Sequence, residues 1–189
     1  KFDATVVGVG DAPGDNFDTF AACTAQALAE AGSHKTYDGL VAADADIAAH
    51  GGILNGFAIS PQARSLLLGA KDSTGRPIFI NSVAEGAIPM ILGCPTYENR
   101  GLYKAGAAPV DSGSGTPAIV GVAGDWSQAM YGTVEGVQIR FADQTGLTIN
   151  STQVNLWEHN MFAVRAEIEI GFRADTNCFN LLSGATPSA

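Results

Sequence analysis

The stretch Asn160-Met-Phe-Ala-Val-Arg-Ala-Glu-Ile-Glu-Ile-Gly-Phe172 decides how this chain is read. Apolar residues take every even position: Phe162, Val164, Ala166, Ile168, Ile170 and Phe172. Arg165, Glu167 and Glu169 stand between them. Successive side chains of a strand point to opposite faces, so this period of two predicts one long strand with a buried face and a charged face. An ordinary strand has about five or six residues, and this one would be roughly twice that. Such length suits a protein built on extended, surface-spanning sheet. Upstream, Val137, Ile139 and Phe141 alternate with Gln138 and Arg140 and predict a neighbouring strand. The connection over residues 142–158 is polar and rich in Gly, Asn and Thr.

Working outward, Thr5–Val9 reads as a short strand, and Asp11–Asp15 as a polar turn. Phe17, Phe20, Ala21, Thr24 and Leu28 fall on one face of a helix ending near Gly32. Asp38 reads as the N-cap of a second helix with Leu40, Ala43 and Ile47 inward and Gly51 after it. Phe57–Ser60 is a short buried strand. Ser60-Pro61 then starts a helix that turns Ala63, Leu66 and Leu67 inward and stops near Gly69. Asp72–Pro77 is a turn by composition. Met90–Leu92 and Thr96-Tyr97 flank Gly93-Cys94-Pro95, which predicts an interrupted or edge strand. Residues 99–117, broken by Gly101, Gly106, Pro109, Gly113, Gly115 and Pro117, read as a mobile loop. Order resumes at Ala118–Val122, and Phe179, Leu181 and Leu182 anchor the end of the fold. No internal repeat is visible.

Composition narrows the function classes. The chain has 189 residues, 46% of them hydrophobic and 15% charged, which suits one large packed domain or two small ones. No apolar run is long enough for a membrane span, and no signal peptide is visible. The chain opens at Lys1 and reads as a fragment or a processed product. Its net charge is −9, and its ten basic residues are scattered without interleaved aromatics, which argues against a nucleic-acid groove. Cys23, Cys94 and Cys178 are odd in number and far apart, favouring reduced thiols in an intracellular chain over a zinc or redox motif. Asn150-Ser151-Thr152 is then a chance match to a glycosylation sequon.

Several constellations have bland readings that fit better. Gly8-Val-Gly10-Asp-Ala-Pro-Gly14 has its last glycine one residue too late for a dinucleotide fingerprint, and Pro13 stands where a helix should open, so it reads as a turn. Asp46 and His50, with Asp44 nearby, have ligand spacing but no indicated third ligand, and read as a solvated helix face. Ser60, Ser65 or Ser127 could pair with His34, His50 or His159, yet none lies in a nucleophile elbow. Cys94 is a nucleophile only in principle and by default a small buried hydrophobe. The row Arg165, Glu167, Glu169, with Arg140 on the next strand, is either a wet face or a polar inter-subunit surface.

Several stretches, in order, resemble the major capsid proteins of tailed bacteriophages with the HK97-type fold. They are Gly56–Pro61 with the Leu-rich helix after it, Lys71-Asp-Ser-Thr-Gly-Arg-Pro-Ile-Phe79, Leu92-Gly-Cys-Pro95, and Val120-Gly-Val-Ala-Gly-Asp-Trp-Ser-Gln-Ala129. Gly136–Arg140, Phe162–Ala166 and Cys178–Leu181 continue the series, and Gly8–Gly14 fits the family's glycine turn. The resemblance implies an α+β fold made of an axial domain (residues 8–132, completed by 173–182) and C-terminal strands of a peripheral domain (133–172). It makes residues 1–7 the tail of a helix, where β-branching suggests strand. It implies that the N-terminal arm, the E-loop and the spine helix are missing, and with them any E-loop lysine for cross-linking. Loop 142–158 would meet neighbours near three-fold positions, and loop 99–117 would lie near five-fold or six-fold centres.

The function so implied is that of a structural subunit, not an enzyme, of an icosahedral shell enclosing double-stranded DNA. The subunit would be a virion component assembled in the bacterial cytoplasm. The expected inter-subunit surface is Arg140, Asn150, Arg165, Glu167 and Glu169, with no catalytic residue, cofactor or metal. Full-length subunits would form pentamers and hexamers and enclose DNA without gripping it, with no membrane partner. The fragment itself would be monomeric or weakly associated. Two alternatives stand beside this: an encapsulin-like nanocompartment shell, and a small hydrolase or nucleotide-binding enzyme.

Overall fold

Short apolar runs scattered along the chain meet in one mixed sheet. The computed structural model describes residues 17–28, 35–72, 74–79, 88, 90–109, 115–143, 146–149 and 151–186. In chain order the elements are β1 (Ala25–Ala27), α1 (Lys35–Ala49), β2 (Gly56–Ile59), α2 (Pro61–Gly69), β3 (Met90–Ile91), β4 (Cys94–Glu98) and β5 (Ile119–Gly124). There follow β6 (Ala129–Thr133), β7 (Gln138–Ala142), β8 (Gly146–Ile149), β9 (Thr152–Asn155), β10 (Ala163–Glu167), β11 (Ile170–Ala174) and β12 (Phe179–Ser183). The mixture of helices and a mixed sheet is the expected α+β class. The Thr5–Val9 strand, the helix-tail reading of residues 1–7 and the Gly8–Gly14 turn lie outside the described residues.

The chain divides into two units, residues 1–130 with 173–189, and residues 131–172. The first is built on the sheet β1-β12-β5-β2-β4-β3. Its centre is antiparallel, β12 against β5 against β2, while β1 joins β12 and β4 joins β2 in parallel. All five residues of β12 are buried, as a strand covered on both faces requires. Helix α1 is alanine-rich, hence strongly helix-forming, and it buries Leu40, Ala43 and Ile47 completely. It ends in a Schellman motif: Gly52 N–H donates to Ile47 O, Gly51 N–H donates to Ala48 O, and Gly51 has φ +82°. In α2, Ser60 Oγ accepts from Ala63 N–H at 3.3 Å ahead of Pro61, so the predicted cap is present. Phe20, Phe179 and Trp126 pack as an aromatic trio, with Trp126 Nε1–H donating to Gly56 O at 3.0 Å.

Several expectations are corrected. Residues 17–28 form no helix: Phe20–Ala22 is a single 3₁₀ turn and β1 follows. Leu181 N–H donates to Thr24 O and Leu28 N–H to Ser183 O, so pairing with a strand far along the chain overrides the local periodicity. Asp38 lies in the first turn of α1, which starts at Lys35, and is not its cap. The Met90–Tyr97 region keeps the expected interruption and edge position, but its two parts fold back on each other as a hairpin, β3–β4, with β3 at the sheet edge. The described part of 99–117 is tied down rather than loose. Asn99 caps a 3₁₀ turn, Leu102 is buried, and Lys104 pairs with Ile119 and Ala107 with Thr116. Glycine and proline counts do not reveal such non-local bridges.

Candidate inter-subunit surface

The second unit carries the stretch that opened the sequence reading. The predicted single strand is two, β10 and β11, separated by Ile168 and Glu169. Strand β10 pairs with β7, while β11 pairs with β6. Between β6 and β7, residues 134–137 bend away from the ladder, so Ile168 and Glu169 have no strand to pair with. One hydrogen bond, Val134 N–H to Glu169 O at 3.3 Å, bridges the gap. Residues 142–158, read as a plain loop, fold partly into the hairpin β8–β9.

The β7–β10 ribbon has the predicted alternation without the predicted burial. Val164 faces Phe141 and Ala166 faces Ile139 in register, making an apolar face. Yet Phe141 is 73% exposed, Phe162 70%, Ile139 58% and Val164 52%. Val137 and Ile168 are also exposed. The alternation identified the face correctly and the cover wrongly, because two strands alone offer nothing for that face to pack against.

The opposite face is charged. Arg165 lies directly across from Arg140, and Glu167 across from Gln138. Arg165 is ion-paired with Glu167 along its own strand. The Arg140 guanidinium donates to Gln138 Oε1 at 3.3 Å and meets no carboxylate among the described residues. Glu169 follows where the ladder breaks. There, Val134, Glu135, Gly136, Gln138, Glu167, Ile168 and Glu169 line an open cleft of about 510 Å³. The structure therefore brings Arg140, Arg165, Glu167 and Glu169 onto one ribbon and its base. Asn150 lies outside the described residues. The sequence reading missed Glu135, whose position depends on the bend over 134–137.

The weaker constellations are placed apart. Ser60 caps α2, Ser65 donates to Gln62 O, and Ser127 donates to Asp125. Among the described residues none of these serines is hydrogen-bonded to a histidine, and His34 lies outside them. His50 Nδ1 is 2.8 Å from Asp46 O at an exposed helix end. Among the described residues no three His, Cys, Asp or Glu side chains gather as a metal site would need. Cys94 donates to Leu54 O at 3.2 Å, and burial together with the Asp44 carboxylate pushes its thiol pKa up, away from the reactive thiolate. Burial likewise pushes Cys23 up to about 11. No helix among the described residues is long and apolar enough to cross a membrane.

A carboxylate in the Val120–Ala129 motif collects four hydrogen bonds among the described residues. The Asp125 carboxylate accepts from Ser127 Oγ–H (2.6 Å), Asn55 Nδ2–H (2.8 Å), Ser127 N–H (3.1 Å) and Ile53 N–H (3.1 Å). The Ser127 hydroxyl is the main reason that its pKa is held below the usual carboxylate range, with the Ile53 amide next. This is a latch between β5 and the segment before β2, not a reactive centre.

The sequence matches the model of the phage capsid family over residues 3–176. It is 36% identical over 115 residues to the probable major capsid protein gp17 of Mycobacterium phage L5, covering 58% of this chain and 33% of that protein. With the probable major capsid protein gp17 of Mycobacterium phage D29 it shares 33% identity over 133 residues, covering 63% and 38%. The chain thus spans about a third of the length of these curated relatives. Among solved structures, one from Gordonia phage Cozz superposes with a TM-score of 0.75 at 22% identity, covering 98% of this chain and 59% of the other. The capsid of an empty GTA particle superposes at 0.60 with 16% identity, over 97% and 60%. The fold is therefore the HK97-like one of phage capsid proteins, and the chain belongs to the phage capsid family.

Proposed function

We propose that the chain is part of a major capsid subunit and that its role is mechanical: it tiles a closed shell around a double-stranded DNA genome and does no chemistry of its own. On this reading residues 8–132 with 173–182 are the axial domain, and 133–172 supply strands of the peripheral domain. Subunits gather in pentamers and hexamers, assembled in the host cytoplasm into the virion. The observation that carries the reading is the exposed apolar face of the β7–β10 ribbon, since a folded subunit leaves such a face open only where assembly or further chain covers it. The net charge of −9 suits a wall that encloses DNA without gripping it. Arg140, Asn150, Arg165, Glu167 and Glu169 are the proposed inter-subunit positions. A nanocompartment role and a small hydrolase draw no comparable support.

Electron microscopy of the protein, produced at the full length of its relatives and without other phage proteins, tests the reading. Uniform closed shells are the expected result. A persistent monomer would overturn it.

A further inference from the structure

Asn55-Gly56 is the one Asn-Gly step in the chain. In an open chain such a step is chemically unstable, because glycine has no Cβ to shield its backbone nitrogen or to restrict φ and ψ. That nitrogen can attack the neighbouring side-chain amide carbon, a reaction favoured by proximity within one chain. A bond forms between Gly56 N and Asn55 Cγ, and the Cγ–Nδ2 bond breaks. The Gly56 amide proton leaves with the side-chain nitrogen as ammonia, and a cyclic succinimide remains. Water then opens the ring at either carbonyl, giving aspartate or isoaspartate. The only co-reactant is solvent water.

The fold holds both partners of that reaction. Asn55 is exposed, yet its side chain is tied at both ends. Its Nδ2–H donates to Asp125 Oδ1 at 2.8 Å, and its Oδ1 accepts from Trp126 N–H at 2.9 Å. Its own N–H donates to Gly124 O at 3.3 Å. The nucleophile is fixed as well. Gly56 is buried in β2, is paired in register with Gly124, and its carbonyl accepts from Trp126 Nε1–H at 3.0 Å. A Cβ on Gly56 would lie 2.9 Å from Trp126 Cδ1, so the indole ring lies close over this backbone. Gly56 N therefore reaches Asn55 Cγ only when the start of β2 parts from residues 124–126.

Either product is incompatible with these contacts. Aspartate at position 55 has no N–H for Asp125, and it sets a second carboxylate at hydrogen-bond range from the first, where like charges repel. Isoaspartate adds a methylene to the main chain just ahead of β2, which displaces Gly56 from its register with Gly124. We infer that Asn55 is a conditional deamidation site: the closed Asp125 latch protects it, local opening exposes it, and its conversion keeps the latch open. Opening and conversion thus reinforce each other, and a chain that waits unfolded marks itself irreversibly. The inference is independent of the shell-forming role.

Peptide mapping by mass spectrometry, with isoaspartate read by enzymatic methyl labelling, follows residue 55 over time at neutral pH. The 189-residue chain is incubated folded, and in guanidinium chloride above its unfolding midpoint. The folded parent converts at least about a hundredfold more slowly than the unfolded one, because reaction proceeds only through local opening. Asp125→Ala removes the acceptor, and Ser127→Ala weakens the latch without touching Asn55. In the folded state Asp125→Ala converts at least about tenfold faster than the parent, with Ser127→Ala between them. Circular dichroism checks each fold, and Ser127→Ala carries the comparison if Asp125→Ala does not fold. Equal rates for folded and unfolded parent, or folded variants as slow as the parent, overturn the protection. Asn55→Asp and Asn55→Ser separate the new charge from the lost contact, and the aspartate variant has the lower denaturation midpoint. An aspartate variant as stable as the serine one overturns the claim that conversion keeps the latch open.

Discussion

One carboxylate, that of Asp125, collects four donors, and two of them come from residues about seventy positions earlier. Its lowered pKa makes its contribution pH-dependent with a definite sign. A carboxylate held below its unfolded value adds stability that is complete above about pH 4 and is lost as pH falls through the folded value. Asp72, lowered chiefly by the Arg76 amide and then by the Thr74 hydroxyl, acts in the same direction. Asp125→Asn keeps the shape but turns an acceptor into a donor, leaving the Ile53 amide without a partner. The variant should lose about 1–3 kcal/mol at neutral pH, read as a lower urea midpoint. Its deficit should shrink on acidification, as the parent loses what the variant already lacks. A deficit constant from neutral pH to well below pH 4 would show that the charge is not what counts. The sequence marked Asp125 only as part of a motif. Its role was hidden because Ile53 and Asn55 become neighbours only once β2 and β5 pair.

Elements were legible where a local rule suffices and misread where a distant partner decides. Ser60-Pro61 predicted the start of α2 from capping and φ alone, and Leu40, Ala43 and Ile47 gave the buried face of α1 from spacing alone. Residues 17–28 have a helical period too, yet Phe20–Ala22 is a single 3₁₀ turn and β12 claims Ala25–Ala27 as strand. The stretch 160–172 kept its alternation but not its continuity, because the break is set by the bend at 134–137 on another segment. The β3–β4 hairpin shows the remaining class, a turn against its own chemistry. Leu92 and Gly93 both have positive φ, +49° and +80°, as a two-residue type I′ turn demands, although leucine is a poor occupant of that region. Leu92→Asn should therefore stabilise the protein by about 0.5–1 kcal/mol, seen as a higher urea midpoint with unchanged slope. An unchanged or lower midpoint would mean that the partly exposed leucine side chain contributes more than the strain removes.

At the scale of the whole molecule, the two units differ in how their strands are supported. The first buries Leu40, Ile47, Phe57, Ile59, Leu67, Val120 and Leu182 around a six-stranded sheet. The second has two-stranded ladders, β7–β10 and β8–β9, and the larger side chains of its main ribbon are exposed. A two-stranded ribbon is marginal by itself in water, and local stability follows the apolar contacts that opening must break. Amide exchange should therefore be graded within one chain. Amides paired between β2, β5 and β12 should be the slowest, approaching the rate set by global unfolding. Those of β7 and β10 should exchange much faster although they are equally hydrogen-bonded. If the ribbon's faces are covered on assembly, the same β7 and β10 amides should slow markedly in shells of the full-length protein, while the central sheet changes little. Equal protection of ribbon and sheet in the isolated chain would show that the ribbon has support of its own. The exposed apolar face would then no longer be a reason to expect a partner.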